Sequence, residues 1–489
     1  MKRKYVDEYI ASIYNVDESS KIEVLEIDAA QLLSRNRLDI IAKLLYIQSI
    51  ELNLDNGKEI YKDHIAAVTK NSFIEGGNPE KNSIKKFEKQ FNDLIVSMKT
   101  EGYIEDEYPV PVDENLQILD GAHRVASAIY YNKKIKIVKL PVRACDKYNQ
   151  QFFDKMGFKS QYMDQIIQKY IEMKNGIYIV NIWPVANDKD KEINQIISKF
   201  ANIVYYKEVY LTEQGAFNYL HQIYSRDSWI GNINNKFSGT YRKLEPCFKG
   251  NNPLRVFVIE SSSINEVLKI KESIRDLFNI GKHSIHITDT KIEAISMGRI
   301  IFNNNSIEFM NYAKPYKFKN SYKLLKSYKE QCTDEKAITS SMVLSIYGIR
   351  EANDLDFISL ETNSENNSNY HDSHNYLSKY YGNSIENLIM DPKNYFYYDD
   401  VKFLSIQNIA EFKGNRKENK DIDDLILIEN YYKLNKNPKG LLYVSNEVIK
   451  FKRRLLAKLQ GIIIRVAHIT GTYNILRKIK KTLEIKKYS

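Results

Sequence analysis

The stretch from residue 176 to about 300 constrains the fold most. Gly176-Ile-Tyr-Ile-Val-Asn-Ile-Trp183 and Leu254-Arg-Val-Phe-Val-Ile-Glu260 are near-continuous apolar runs, the pattern of strands covered on both faces. A helical spacing over 264–278 follows, then His283-Ser-Ile-His-Ile287 as a strand, then Thr288-Asp-Thr290 opening another helix. Strand, helix, strand, helix predicts an α/β arrangement, with ligands expected at strand carboxyl ends. At roughly 150 residues per domain, 489 residues make about three domains. The 43% hydrophobic and 27% charged content excludes fibrous and disordered classes for most of the chain.

The flanks fill in a mixed α/β (α+β) chain. Arg37–Tyr46 and Ser83–Lys99 carry helical spacing, the second with Ile84, Phe87, Phe91, Leu94, Ile95 and Met98 on one face. Val110–Leu119 predicts two short strands around an acidic turn, Val125–Tyr131 a helix, and Ile135–Val142 a strand. Further on come a helix over 337–347, a strand at Leu355–Leu360, a polar loop at Thr362–Asn369, a strand at Tyr395–Leu404 and a helix from Gln407. The expected boundaries are 1–150, 160–315, 320–440 and a tail over 447–489, with a break at Lys439-Gly440.

Charge separates the tail from the rest. The chain has 72 Lys+Arg and 62 Asp+Glu, a net +10. Residues 450–489 hold twelve Lys/Arg and one acid, a net +11, which leaves −1 for everything before them. A nucleic-acid footprint belongs on the recognition domain, so DNA is not the expected partner. Apolar residues from Val448 through Ile469 alternate with basic ones, which suits an amphipathic helix over residues 448–489 lying on an anionic membrane; an ordinary helix packed on the body is the alternative. Cys145, Cys247 and Cys332 stand singly, no apolar leader follows the basic start, and no run reaches about 18 apolar residues. A cytoplasmic protein, peripheral on the inner membrane face, is expected.

Two constellations carry chemistry. In Ile118-Leu-Asp-Gly-Ala-His-Arg124 a strand ends at Asp120-Gly121 and a helix begins near His123. Gly121 lets backbone approach a ligand, and the first-turn amides with Arg124 form an anion site; a local Asp-Gly turn bridged by Arg124 is the alternative. Glu75-Gly-Gly-Asn78 is a second loop, with Glu75 a candidate general base or a plain surface turn. In the other constellation, Gly348 and Arg350 precede Asp354-x-Asp356 at the start of an apolar strand. Residues i and i+2 point to one side, so both carboxylates can hold one Mg²⁺. Asp399 and Asp400 are the nearest candidates for a third carboxylate, and Lys413-x-x-Arg416-x-x-x-Lys420-Asp421-x-x-Asp424 follows.

Three smaller groups remain open. His283 and His286 face opposite sides of a strand, and Asp289 with Glu293 is a helix cap or a ligand site. His371-Asp-Ser-His374 is a metal or phosphate group or a polar loop. Trp229-Ile-Gly-Asn232 is a binding loop or a buried indole.

The first constellation, with Lys99–Gly102 and Pro109-Val-Pro-Val before it, resembles the box of ParB N-terminal and sulfiredoxin-like domains over residues 30–145. That resemblance implies nucleotide phosphates held by Asp120, Gly121, His123 and Arg124, and in some members kinase activity. Ala122 stands where sulfiredoxins have cysteine, which argues against sulfinic reductase chemistry. The second resembles the nucleotidyltransferase superfamily over 320–430, in which a glycine-containing turn precedes Asp-x-Asp; Ile349 stands where that family usually has serine. It implies Asp354 and Asp356 as catalytic metal ligands with Asp400 beside them, and Gly348 and Arg350 at the nucleotide. The tail is similar to basic tails of bacterial surface-polysaccharide enzymes. Together these imply a bacterial transferase using Mg²⁺ and ATP or another nucleotide on a small molecule or surface-polysaccharide precursor. The rival is a ParB-type DNA-binding regulatory or partition protein.

Overall fold

The computed structural model describes residues 5–16, 22–76, 78, 80–102, 109–144, 147–361, 371–435 and 441–473. The polar loop Thr362–Asn369, the Lys439-Gly440 junction, Cys145, Gly77 and the sequence past Tyr473 lie outside them. The chain is mixed α/β, and no helix is long and apolar enough to cross a membrane among the described residues. It divides into two compact units, 1–166 with 439–489, and 167–438.

The first unit has a small sheet of β1 (Glu23–Asp28), β2 (Val110–Val112) and β3 (Lys134–Lys139). Strand β3 sits between the others, antiparallel to β1 and parallel to β2. Helix Asp39–Glu51 is the central core element, burying Ile40, Ile41, Leu44, Tyr46 and Ile47. Helix Ile84–Thr100 presents Phe87, Phe91, Ile95 and Met98 inward, as the 3.6-residue spacing demands, and Phe91 stacks on Tyr46 at 5.2 Å. Residues Leu441–Ile469 form one helix in this unit. Its small residues Ala457 and Gly461 face inward, where a Cβ on Gly461 would lie 2.7 Å from the Asn71 carbonyl carbon. Its large apolar residues Phe451, Leu455, Leu456, Leu459, Ile462, Ile463, Val466 and Ile469 are all exposed.

The second unit holds two sheets. The first contains β4 (Ile177–Ile182), β5 (Asn202–Val209), β6 (Leu254–Glu260) and β7 (Ile285–Ile287), in the order β5-β6-β4-β7. Every pairing is antiparallel, so this is a split βαβ arrangement with two extra helices between β5 and β6. Alternation of strand and helix suggested ligands at strand carboxyl ends, a rule for parallel sheets that this sheet does not meet. His283 lies in a turn rather than on the strand, and Thr290, not Asp289, caps helix Lys291–Ile301.

The second sheet contains β8 (Lys336–Thr339), β9 (Leu355–Ser359), β10 (His371–Ser373), β11 (Tyr395–Tyr398) and β12 (Val401–Leu404), ordered β10-β9-β8-β12-β11. Strand β9 is antiparallel to β8 and parallel to β10. Phe309, Met342, Phe357, Tyr381, Phe396, Phe403 and Phe412 fill the core around it. Two expectations fail here. Residues 336–339 are strand, with only Ser340–Ile346 helical, because Lys336-Ala-Ile-Thr339 pairs along β9. Tyr395–Leu404 is a hairpin: Asp399 and Asp400 have φ of 53° and 62°, the double left-handed geometry of a two-residue type I′ turn.

Candidate functional site

In the second unit the sheet brings carboxylates together. Asp354 and Asp356 enter β9 on one side, Asp354 exposed and Asp356 buried at 7%. Strand β10 pairs in parallel with β9 so that Asp372 is the register partner of Asp356. His374, just past β10, brings Nε2 to 3.5 Å from Asp356 Oδ2. The third acidic neighbour is therefore Asp372. Asp399 and Asp400 are not brought there. They cap the β11–β12 turn, and β12 is two strands from β9, about 9.5 Å across the sheet. Asp399 pairs with Lys326 at 2.5 Å and Lys329 at 2.8 Å, and Asp400 lies 3.7 Å from Arg226.

Electrostatics follow from that crowding. Burial first, and then the charge of Asp354, push the Asp356 carboxyl up to about 6; Asp372 adds to it while a hydrogen bond from Ser340 opposes it. Burial likewise lowers His374 to about 4, so its imidazole is neutral near pH 6 and the 3.5 Å approach to Asp356 is not an ion pair. His374 Nδ1 is buried and has no hydrogen-bond partner among the described residues. Among the described residues no three His, Cys, Asp or Glu side chains stand as a ready-made metal cluster.

The turn that serves these carboxylates comes directly after β8. Ser340 has a left-handed backbone, φ 56°, and Ser341 Oγ donates to Asp354 Oδ1 at 2.9 Å. Gly348 lies elsewhere, at the far end of the same short helix, where an added Cβ would meet Lys314 Cβ at 2.9 Å.

The basic residues beyond form one network. Arg350 grips Asp424 with Nε at 2.5 Å and Nη2 at 2.8 Å. Lys413, 1% exposed, bridges Asp424 at 2.8 Å and Asp421 at 3.0 Å, and Arg416 holds Asp421 through two bonds of 2.7 and 2.8 Å. Burial opposes ionisation of Asp421, but Arg416 and Lys413 prevail and hold its carboxyl at about 2. The Lys413–Asp424 pattern is thus a buried brace between helices Ile406–Arg416 and Asn419–Leu434, with Arg350 tied into it.

In the first unit, the Asp120–Arg124 box is close-set. Gly121 has φ 84° and starts helix Ala122–Tyr130; a Cβ there would lie 2.9 Å from Arg124 Nη2. Asp120 is exposed. His123 Nε2 meets Tyr61 OH at 2.9 Å, and burial followed by the charges of Lys43 and Lys81 holds it neutral. Behind it lies a buried group that sequence reasoning missed. Arg37 clasps Asp39 at 2.8 and 2.9 Å and donates to the Ile118 carbonyl, immediately before the box. Lys43 Nζ lies 3.0 Å from Asp39 and 3.4 Å from His64 Nε2. Arg37-x-Asp39-x-x-x-Lys43 on a first helical turn and the next was the available signal. Glu75 is ion-paired with Lys81 at 3.1 Å.

Compared with known protein families, curated proteins and solved structures, the chain matches none.

Proposed function

We propose that the chain is a bacterial nucleotide-dependent transferase, passing a nucleotidyl or phosphoryl group to a small molecule or surface-polysaccharide precursor. The observation that carries this reading is the set Asp354, Asp356 and Asp372 on adjacent parallel strands, with Ser341 orienting Asp354. Ser340-Ser341 fills the place of the turn before Asp-x-Asp in the nucleotidyltransferase superfamily. It lies between strand and helix, its first residue has the left-handed backbone glycine would supply, and its second is the serine missing at Ile349. The ParB/sulfiredoxin-like reading of the first unit rests on Asp120–Arg124, whose glycine and helix start suit nucleotide phosphates.

Mg²⁺ fits the carboxylate set by its chemistry. It favours hard oxygen donors and needs only one or two carboxylates when a nucleotide's phosphates supply the rest. Crowding that lifts Asp356 toward neutrality is the strain a divalent cation relieves. When bound, Mg²⁺ would supply charge neutralisation at the phosphates. Asp354 and Asp356 would hold it, Asp372 would complete the acidic wall, and the Lys413 brace would keep Arg350 in place beside them.

The eight exposed apolar residues of helix Leu441–Ile469, in a segment of net +11, support peripheral docking on an anionic membrane surface.

The test is Mg²⁺-dependent transfer from ATP and CTP to a panel of sugars, polyols and amino acids. Turnover should fall at least about 100-fold in Asp372→Asn, as expected for loss of a group acting on transition-state charge, and persist in Asp400→Asn. Full turnover in Asp372→Asn would refute the site.

A further inference from the structure

The second unit contains another site that transfer does not use. A cavity of about 430 Å³, within the range of small-molecule sites, opens at the β7 edge of the antiparallel sheet. One wall is cationic. Lys243, Arg275 and Lys282 line it, and none pairs with a carboxylate among the described residues. Arg275 Nε is buried and has no hydrogen-bond partner among the described residues. Lys243 is itself buried, and its Nζ donates to the Lys282 carbonyl oxygen at 3.1 Å. Burial first, and the neighbouring Lys282 and Arg275 after it, lower the Lys243 pKa, a repulsion that an anion between them would remove.

The rest of the lining has different chemistry and meets the cations: Lys243 Nζ lies 5.6 Å from the centre of the Tyr224 ring, and Lys271 holds Asp289 at 3.3 Å. Trp229 is 42% exposed, and its ring lies 5.0 Å from that of Tyr224. Asp227 accepts from Trp229 Nε1 at 3.0 Å, which fixes the indole plane. Asp289 and Glu293 also line the cavity, Glu293 accepting from the Asp289 amide at 2.7 Å. Carboxylates with spare lone pairs in one cavity with an exposed aromatic face suit a pyranose, whose C–H face is apolar and whose hydroxyls radiate from its rim. Guanidinium and ammonium groups in the same cavity suit a phosphate.

We infer that this cavity binds a sugar phosphate, the phosphate on Lys243, Arg275 and Lys282 and the ring on Trp229. The site lies by the Asp399–Asp400 turn, not by Asp354 and Asp356, so it stands independently of the transfer reading.

The chain has two tryptophans, and Trp183 is fully buried, so a ligand on Trp229 changes the exposed component of the fluorescence. Full-length protein is titrated with glucose 1-phosphate, and separately with glucose and with inorganic phosphate. Saturable quenching by the sugar phosphate is expected, with Kd below about 1 mM. Calorimetry should show roughly tenfold weaker binding in Arg275→Gln, and weaker binding in the exposed Lys282→Gln, which leaves the fold intact. Asp356→Asn should bind as the parent does. Absence of saturable binding, unchanged affinity in both cation variants, or loss of binding in Asp356→Asn would overturn the assignment. Equal affinity for glucose or for inorganic phosphate alone would overturn its sugar-phosphate class.

Discussion

Asp356→Asn offers the most quantitative test of the carboxylate site. The Asp356 carboxyl is raised from the ordinary 3.8 to about 6, chiefly by burial and by Asp354. A group that binds its proton more tightly when folded favours the native state only at low pH. Stability is therefore lost as pH rises from about 4 to about 6, and the loss persists above that. The gap corresponds to about 3 kcal/mol without metal. Asparagine is neutral at every pH and can still accept from Ser340. The variant should match the parent near pH 4 and exceed it by up to about 3 kcal/mol at pH 8 in EDTA, or roughly 5–10 °C in the melting of the second unit. Mg²⁺ with nucleotide should then stabilise the parent and leave the variant unmoved. Melts at pH 4, 6 and 8, with EDTA and with Mg²⁺ and ATP, give the comparison. A variant less stable than the parent at pH 8 in EDTA would refute the crowding argument.

Lys413→Met removes the cation shared by two buried carboxylates, Asp421 and Asp424, and should cost about 3–5 kcal/mol in urea unfolding. Ser340→Gly relieves a left-handed backbone but deletes the hydrogen bond that lowers Asp356; stability should change by less than about 1 kcal/mol, while the pH midpoint of turnover moves up. Leu455→Glu with Ile463→Glu, both exposed, should leave the melting profile unchanged and abolish cosedimentation with phosphatidylglycerol vesicles.

What the sequence revealed depended on whether local pattern or distant pairing decided the outcome. Helix Ile84–Thr100 follows its own spacing, and β4, β6 and β9 are apolar runs that any sheet would bury. Strand β8 was hidden because Lys336-Ala-Ile-Thr339 continues into a helical run, and only its pairing with β9 makes it extended. Asp372 was legible only as part of a polar segment, because a three-residue strand beside β9 has no periodicity to display. Two acids inside a β run suggest a ligand pair, but at Asp399 and Asp400 the backbone makes a tight turn.

The division of the chain also has a temporal meaning. Residues 167–438 are spliced into the first unit, whose remaining piece includes helix Leu441–Ile469. A ribosome therefore releases the whole second unit before it makes the helix whose Gly461 seats against Asn71. The second unit can fold during synthesis, whereas the first cannot finish until the last segment emerges. Truncation from the 3′ end of the coding sequence would thus damage the amino-terminal unit first and spare the carboxylate site.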